Sequence, residues 1–207
     1  MLGKRFIVFE LDNIKDNKVL FPIVTIIIME TFINKMRRLK GIRKMILLEE
    51  AWKAISKEGM AEYLKYLFGE AVVVTQEVED IISSDIVKGT IINNSDCKIL
   101  LDQRKYANKF DSIQALLGLT DKERAQILSI NMANNPSRRY KEVWIGLGGS
   151  QSAVYATEVS LDEYYCYTTE ETEKLELMRL IEKLGGNIEL AIRQLAASKR
   201  EGKSSST

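Results

Sequence analysis

Histidine is absent from all 207 residues of the chain. Its absence removes serine–histidine and cysteine–histidine nucleophilic catalysis and every histidine metal site. Acid–base work is left to Glu, Asp, Lys, Tyr or water. Cysteine occurs only at Cys97 and Cys166. Two thiols so far apart suit neither a zinc cluster nor a redox pair, and fit two reduced thiols of a cytoplasmic protein. Long hydrophobic runs are also missing. The longest, Val19–Met29, spans 11 residues and is interrupted by Pro22 and Thr25. A membrane-crossing helix needs roughly 20, so a buried helix is expected instead. Met1–Glu10 turns polar too soon for a secretory signal. Neither charge dominates: 30 basic residues face 29 acidic ones, for a net +1. There is no global attraction to nucleic acid or to an anionic membrane, and any such binding must come from a local patch. Finally, no Gly-x-x-x-x-Gly-Lys-Ser/Thr phosphate loop occurs anywhere in the sequence.

What is present is enough to fold. With 45% hydrophobic and 29% charged residues, the chain can bury a core and stay soluble. Its length allows one sizeable domain plus a tail, or one domain missing a piece. Arg5–Leu11, rich in Ile, Val and Phe, reads as a strand buried on both faces. Phe21–Lys40 reads as a long helix, with Pro22 tolerated in its first turn and Gly41 as a C-cap. Lys44–Leu48, Ala71–Thr75 and Lys98–Leu101 read as further strands. Glu50–Ile55, Met60–Phe68, Ile86–Asn93, Phe110–Leu117 and Asp121–Ile130 read as helices, the last capped by Thr120 with Glu123 completing a capping box. Lys141–Leu147 and Ala153–Val159 form a hairpin around Gly146–Ser152. Thr169–Leu184 and Asn187–Ser198 form a helical pair split by Gly185-Gly186, and Gly202–Thr207 is a disordered tail. Strands alternating with helices predict an α/β fold with a mostly parallel sheet and an antiparallel edge hairpin.

The chemistry concentrates at two strand ends. Met45–Trp52 reads Met-Ile-Leu-Leu-Glu-Glu-Ala-Trp, and Gln76 follows Glu50 by 26 positions in Val-Val-Val-Thr-Gln. Acids just beyond a buried strand lie at the carboxyl edge of a parallel sheet, where such folds bind ligands. There Glu49 can hold the water shell of magnesium, and Glu50 can orient or deprotonate an attacking water. Equally, two acids can simply begin a helix, favoured by its positive dipole end. Gln76, whose amide both donates and accepts, can report a γ-phosphate. Thr75 can at the same time cap a following helix.

Other features carry less. Lys35–Lys44 holds six basic residues and no acid, a patch for DNA phosphate or acidic lipid. With no aromatic residue interleaved, a solvated helix end is favoured. Gly146-Leu-Gly-Gly-Ser150 lacks a following Lys and helix, so it reads as a hairpin turn, not a phosphate loop. Arg104, Arg138 and Arg139 lie in loops, as an arginine completing a neighbouring subunit's site would, and as surface arginines do. Tyr164, Tyr165 and Tyr167 are expected to pack the C-terminal helices.

The order of Lys-Arg-Phe-Ile-Val-Phe-Glu-Leu, the apolar helix, Ile-Leu-Leu-Glu-Glu-Ala-Trp, Val-Val-Val-Thr-Gln and Ile-Ile-Asn-Asn-Ser-Asp-Cys-Lys-Ile-Leu-Leu is specific in combination. It resembles the carboxyl-terminal ATPase region of the conjugation ATPases of type IV secretion systems, the fourth VirB component, and most of all the branch found in conjugative transposons. The resemblance runs from about Met1 to Ala197. It implies a RecA-like P-loop fold, ATP with magnesium, and a hexamer or other homo-oligomer. It implies partners among the type IV secretion components at the cytoplasmic face of the inner membrane. The role implied is to power assembly of the transfer apparatus and export of DNA or protein. By motif position, Glu49 and Glu50 match the family's acidic pair and Gln76 its sensor glutamine. Alternatives are a non-catalytic scaffold of the secretion channel, or a DNA-pumping coupling or packaging ATPase. The family often has Asp-Glu where this chain has Glu49-Glu50. Its phosphate loop lies upstream of the matched region, so the chain is expected to be a fragment, inactive alone. The link from Phe68 to Gly69 is short, and a further basic helical turn is expected there. The expected division is an ATPase core at 1–165, a helical pair at 166–200 and a tail at 201–207.

Overall fold

The computed structural model describes residues 3–49, 71–75, 92, 95–133 and 140–204. Five strands and six α-helices lie within them. Helix α1 spans Leu20–Arg38. Its N-terminus is satisfied by Asn17, whose Oδ1 accepts from the backbone N–H groups of Val19 at 3.0 Å and Leu20 at 2.9 Å. A side-chain oxygen supplied just ahead of the first turn does the work of an N-cap. Pro22 stands in that turn, as expected. α1 buries Phe21, Thr25, Met29 and Ile33, an i, i+4, i+8, i+12 stripe that follows the helical period. The Thr25 hydroxyl is buried without penalty because it donates to the Phe21 carbonyl at 2.7 Å.

Strands β1, Ile46–Glu49, and β2, Ala71–Val74, pair in parallel. A separate antiparallel sheet has the order β3-β4-β5, from Cys97–Leu100, Lys141–Leu147 and Gln151–Thr157. Helices α2, Phe110–Leu117, and α3, Asp121–Ser129, pack on this sheet. The Thr120 hydroxyl and Glu123 carboxylate form the expected capping box at the start of α3. Phe110, Ile113, Leu119, Ile127, Ile130 and Trp144 form the core between these helices and the sheet. A second cluster, Tyr165, Leu177, Ala191, Leu195 and Ala196, joins α4, Leu161–Tyr167, α5, Glu171–Lys183, and α6, Ile188–Ser204.

The architecture is thus mixed α/β with one parallel and one antiparallel sheet, and it corrects several expectations. Arg5–Leu11 belongs to no strand; Phe6 and Val8 are exposed. A strand exists only with a hydrogen-bonded neighbour, and among the described residues β1 pairs with β2 alone. Nor are β1 and β2 buried on both faces. Leu47, Val72 and Val74 are exposed, and among the described residues no further layer covers that side. The strand near Lys98–Leu101 joins the antiparallel sheet, so the described pairings are not mostly parallel. α1 stops at Arg38, with Gly41 two residues beyond the cap at Leu39. The helix α4 is additional. Its signature, Ser160-Leu-Asp-Glu163, is a capping box in which Glu163 Oε2 accepts from the Ser160 N–H at 2.9 Å. α6 runs to Ser204, three residues into the expected tail. The expected helices Glu50–Ile55, Met60–Phe68 and, apart from the buried Ile92, Ile86–Asn93, and the short Phe68–Gly69 link, lie outside the described residues.

Candidate functional site

Two short apolar strands running the same way bring their carboxyl ends to one edge. The register pairs Ile46 with Ala71 and Glu49 with Val74. The last residue of each strand therefore stands beside the last of the other, and Glu50 and the Thr75-Gln76 pair follow directly in sequence. Short runs of Ile, Leu and Val form strands here because branched side chains pack well on a pleated surface. Only Leu48 of β1 is buried, while Glu49 is exposed.

An exposed carboxylate at the carboxyl edge of parallel strands suits one kind of metal. Magnesium uses one or two carboxylates and keeps most of its waters. Among the described residues there is no group of three or more His, Cys, Asp or Glu side chains that could cage an ion. Glu49 is a single exposed carboxylate at that edge. The one glycine-rich segment read against a phosphate loop, Gly146–Ser150, does not fit a triphosphate. Gly146–Ser150 is a hairpin turn: Gly148 and Gly149 adopt φ of 52° and 72°. The Gly148 N–H is already donated to the Asp96 carbonyl at 2.6 Å, and the Ser150 N–H to that of Leu147 at 3.0 Å. Strand β5 follows, not a helix, so no helix dipole is aimed at an anion there, and two of the turn's amides are already used.

Glu50, Gln76, Arg138 and Arg139 lie outside the described residues, so the structure places Glu49 and Arg104 alone among the expected site residues. These two stand in different parts of the molecule, Glu49 on the parallel sheet and Arg104 in the 3₁₀ turn Arg104–Lys109 after β3. Arg104 is held by its own chain. Its Nε donates to both carboxylate oxygens of Asp102 at 2.9 Å, and its backbone N–H to Oδ1 at 3.0 Å. This fork holds the Asp102 carboxyl below its ordinary range, chiefly through the guanidinium hydrogen bonds. An Arg104 that served a neighbouring subunit would have to leave this partner.

The same region holds a pair that the sequence reading missed. Asn131, at φ 56°, donates its N–H to Glu142 Oε2 at 2.7 Å, and its Oδ1 accepts from the Glu142 N–H at 3.0 Å. Asn is among the few residues that tolerate the left-handed region, but nothing in the sequence joins it to an acid 11 positions away. Of the three tyrosines, Tyr165 packs in the C-terminal core as expected, and burial pushes its hydroxyl pKa up. Tyr164 is exposed and donates its hydroxyl to Glu173 at 2.8 Å, while Tyr167 is exposed. The Lys35–Lys44 run ends α1, with Lys35, Arg37 and Arg38 in its last turn, where cations suit the negative dipole pole.

Among the described residues no helix is long and apolar enough to cross a membrane. No curated protein and no solved structure matches the sequence. The family of the TraG P-loop domain matches residues 1–199, nearly the full length. The match ties the chain to the nucleotide-binding, NTPase-related proteins of conjugative transfer. It agrees with the resemblance carried by the two strand ends, and the chain belongs to the TraG P-loop domain family.

Proposed function

We propose that the chain is the hydrolysis side of a RecA-like conjugative-transfer ATPase that powers assembly of the transfer apparatus and export through it. The observation that carries this reading is the parallel pairing of β1 and β2 with Glu49 in register with Val74. It sets the start of Glu-Glu-Ala-Trp next to the start of Thr-Gln, as a site needs when an acid and an amide serve one phosphate. In this proposal Glu49 holds magnesium through water, Glu50 orients or deprotonates the attacking water, and Gln76 senses the γ-phosphate of ATP. Arg104, Arg138 and Arg139 are the candidates for an arginine acting across a subunit boundary in a hexamer. The Gly146–Ser150 turn is no cradle for a triphosphate, and no phosphate-loop motif occurs in the sequence. This chain therefore supplies the carboxylate and amide side of the site, and no ATP turnover is expected of the 207-residue chain alone. The boundary expected after residue 165 falls inside α4, which packs with α5 and α6, so the ATPase core ends before Leu161 and the three helices form an appendage. The working location is the cytoplasmic face of the inner membrane, among type IV secretion components.

Transfer frequency from donor cells carrying Glu50→Gln tests this reading. Loss of a positioned base costs about 10²–10⁴-fold, so transfer should collapse while the protein stays at its normal abundance. Undiminished transfer would leave the chain as a scaffold of the channel. Turnover by the purified chain that vanishes with Glu50→Gln would instead show that no further phosphate-binding groups are needed.

A further inference from the structure

Two segments distant in sequence meet at the carboxyl end of α1. Lys35 Nζ donates to the Lys4 carbonyl at 2.6 Å, across 31 positions. This contact brings Lys4-Arg5-Phe6 to the helix end that carries Arg37 and Arg38, with Lys40, Arg43 and Lys44 following. The result is a basic face of eight cations, and no acid lies within residues 3–9 or 35–45. None of the eight forms an ion pair with an acidic side chain among the described residues. Lys35 and Lys44 are half-buried and the other six are exposed.

Large apolar side chains are interleaved with these cations and open to water: Phe6 is 84% exposed, Val8 70%, Ile42 58% and Met45 73%. Cations alone would serve any polyanion. The bases of a single-stranded nucleic acid stack on aromatic rings, and three of these four side chains are aliphatic. Cations with aliphatic side chains between them match a bilayer interface, with phosphate outside and hydrocarbon a few ångströms below.

We propose that this face, built from residues 4–8 and 35–45, docks peripherally on an anionic phospholipid bilayer. The cations meet lipid phosphates while Phe6, Ile42 and Met45 enter the boundary between headgroups and acyl chains. Charge and shallow insertion together supply the two signals that stable peripheral binding needs. The inference deepens the proposed location at the inner-membrane face and does not depend on the nucleotide site.

Flotation of the 207-residue chain with vesicles tests it, without nucleotide. The chain should float with phosphatidylglycerol vesicles, stay behind with phosphatidylcholine vesicles, and be released by high salt. Each neutralised cation should weaken binding about fivefold, so the triple substitution R37Q/R38Q/R43Q should cost about 100-fold. Ile42→Ser with Met45→Ser, both at exposed positions, should weaken vesicle binding and leave the far-ultraviolet circular dichroism unchanged. Equal binding to both vesicle types would overturn the proposal. So would tighter binding to a poly-dT oligonucleotide that ignores the Ile42 and Met45 substitutions, which would make the face a nucleic-acid surface. If flotation fails while Glu50→Gln still abolishes transfer, only the lipid surface falls. Intact flotation with undiminished transfer by that variant removes only the catalytic reading.

Discussion

The indole of Trp144 lies across Gly146, two residues on along β4, so closely that a Cβ at Gly146 would stand 2.3 Å from the ring carbon Cη2. Successive odd or even residues of a strand share one face, and here the smallest side chain leaves its space to the largest. Trp144 is among the most fully buried side chains, and its indole N–H is donated to Gln126 Oε1 at 3.2 Å. The sheet, α3 and the core are thereby joined through one ring.

Gly146→Ala should therefore unfold at lower denaturant than the wild type. Forcing a methyl against a buried ring costs about 1–3 kcal/mol. Equilibrium urea unfolding followed by tryptophan fluorescence measures it. An unchanged midpoint would mean that the ring has free room to move.

The capping box of α3 gives a second expectation. Glu123 N–H is donated to the Thr120 hydroxyl at 3.3 Å, and Glu123 Oε2 accepts from the Thr120 N–H at 2.9 Å. Thr120→Ala removes one half of that exchange and should cost about 1 kcal/mol. Ser160→Ala at α4 should act in the same direction. Thermal melts of the two variants and of the double variant should show additive losses, since the two caps sit on separate helices.

Acid should act through the same carboxylates. The Thr120 backbone N–H lowers the Glu123 pKa, and the Ser160 backbone N–H lowers that of Glu163. A group whose folded pKa lies below its unfolded value stabilises the fold fully above the unfolded value, about 4.3 for Glu. That contribution is lost as pH falls through the lower, folded value. The melting temperature should hold steady from neutral pH towards 5 and drop below about 4.3. In Glu123→Gln the acid-side drop should be shallower, from a lower starting point.

The Asn131–Glu142 exchange predicts a local cost of another kind. Asn131→Ala removes the Oδ1 acceptor for the Glu142 N–H and places a residue with poor left-handed tolerance at φ 56°. Together these should cost about 2 kcal/mol. Asn131→Gly should recover the backbone part only. A Gly variant no more stable than the Ala variant would show that backbone conformation contributes nothing here.

How much could be read in advance depended on how local each determinant is. Phe110–Leu117, the start of α3 at Asp121 and its Thr120 cap are as expected, because helix periodicity and caps act within four residues. The α4 cap was equally local, and Ser160-Leu-Asp-Glu163 could have revealed that helix. Arg5–Leu11 shows the opposite case. Its composition suits a strand, yet pairing requires a neighbour that no local pattern specifies.

By itself the sequence determined which segments are apolar, where helices begin, the lack of histidine chemistry, and the family, matched over residues 1–199. Those properties depend on residue type and spacing alone. Only the tertiary structure decided that β1 and β2 are parallel partners in register, that β3 turns to the antiparallel sheet, and that Arg104 is clasped by Asp102. It alone set Lys4 against Lys35 and left Leu47, Val72 and Val74 exposed. These depend on which surfaces meet. Many pairings satisfy the same hydrophobic pattern, and the choice among them is made by long-range packing and hydrogen-bond geometry.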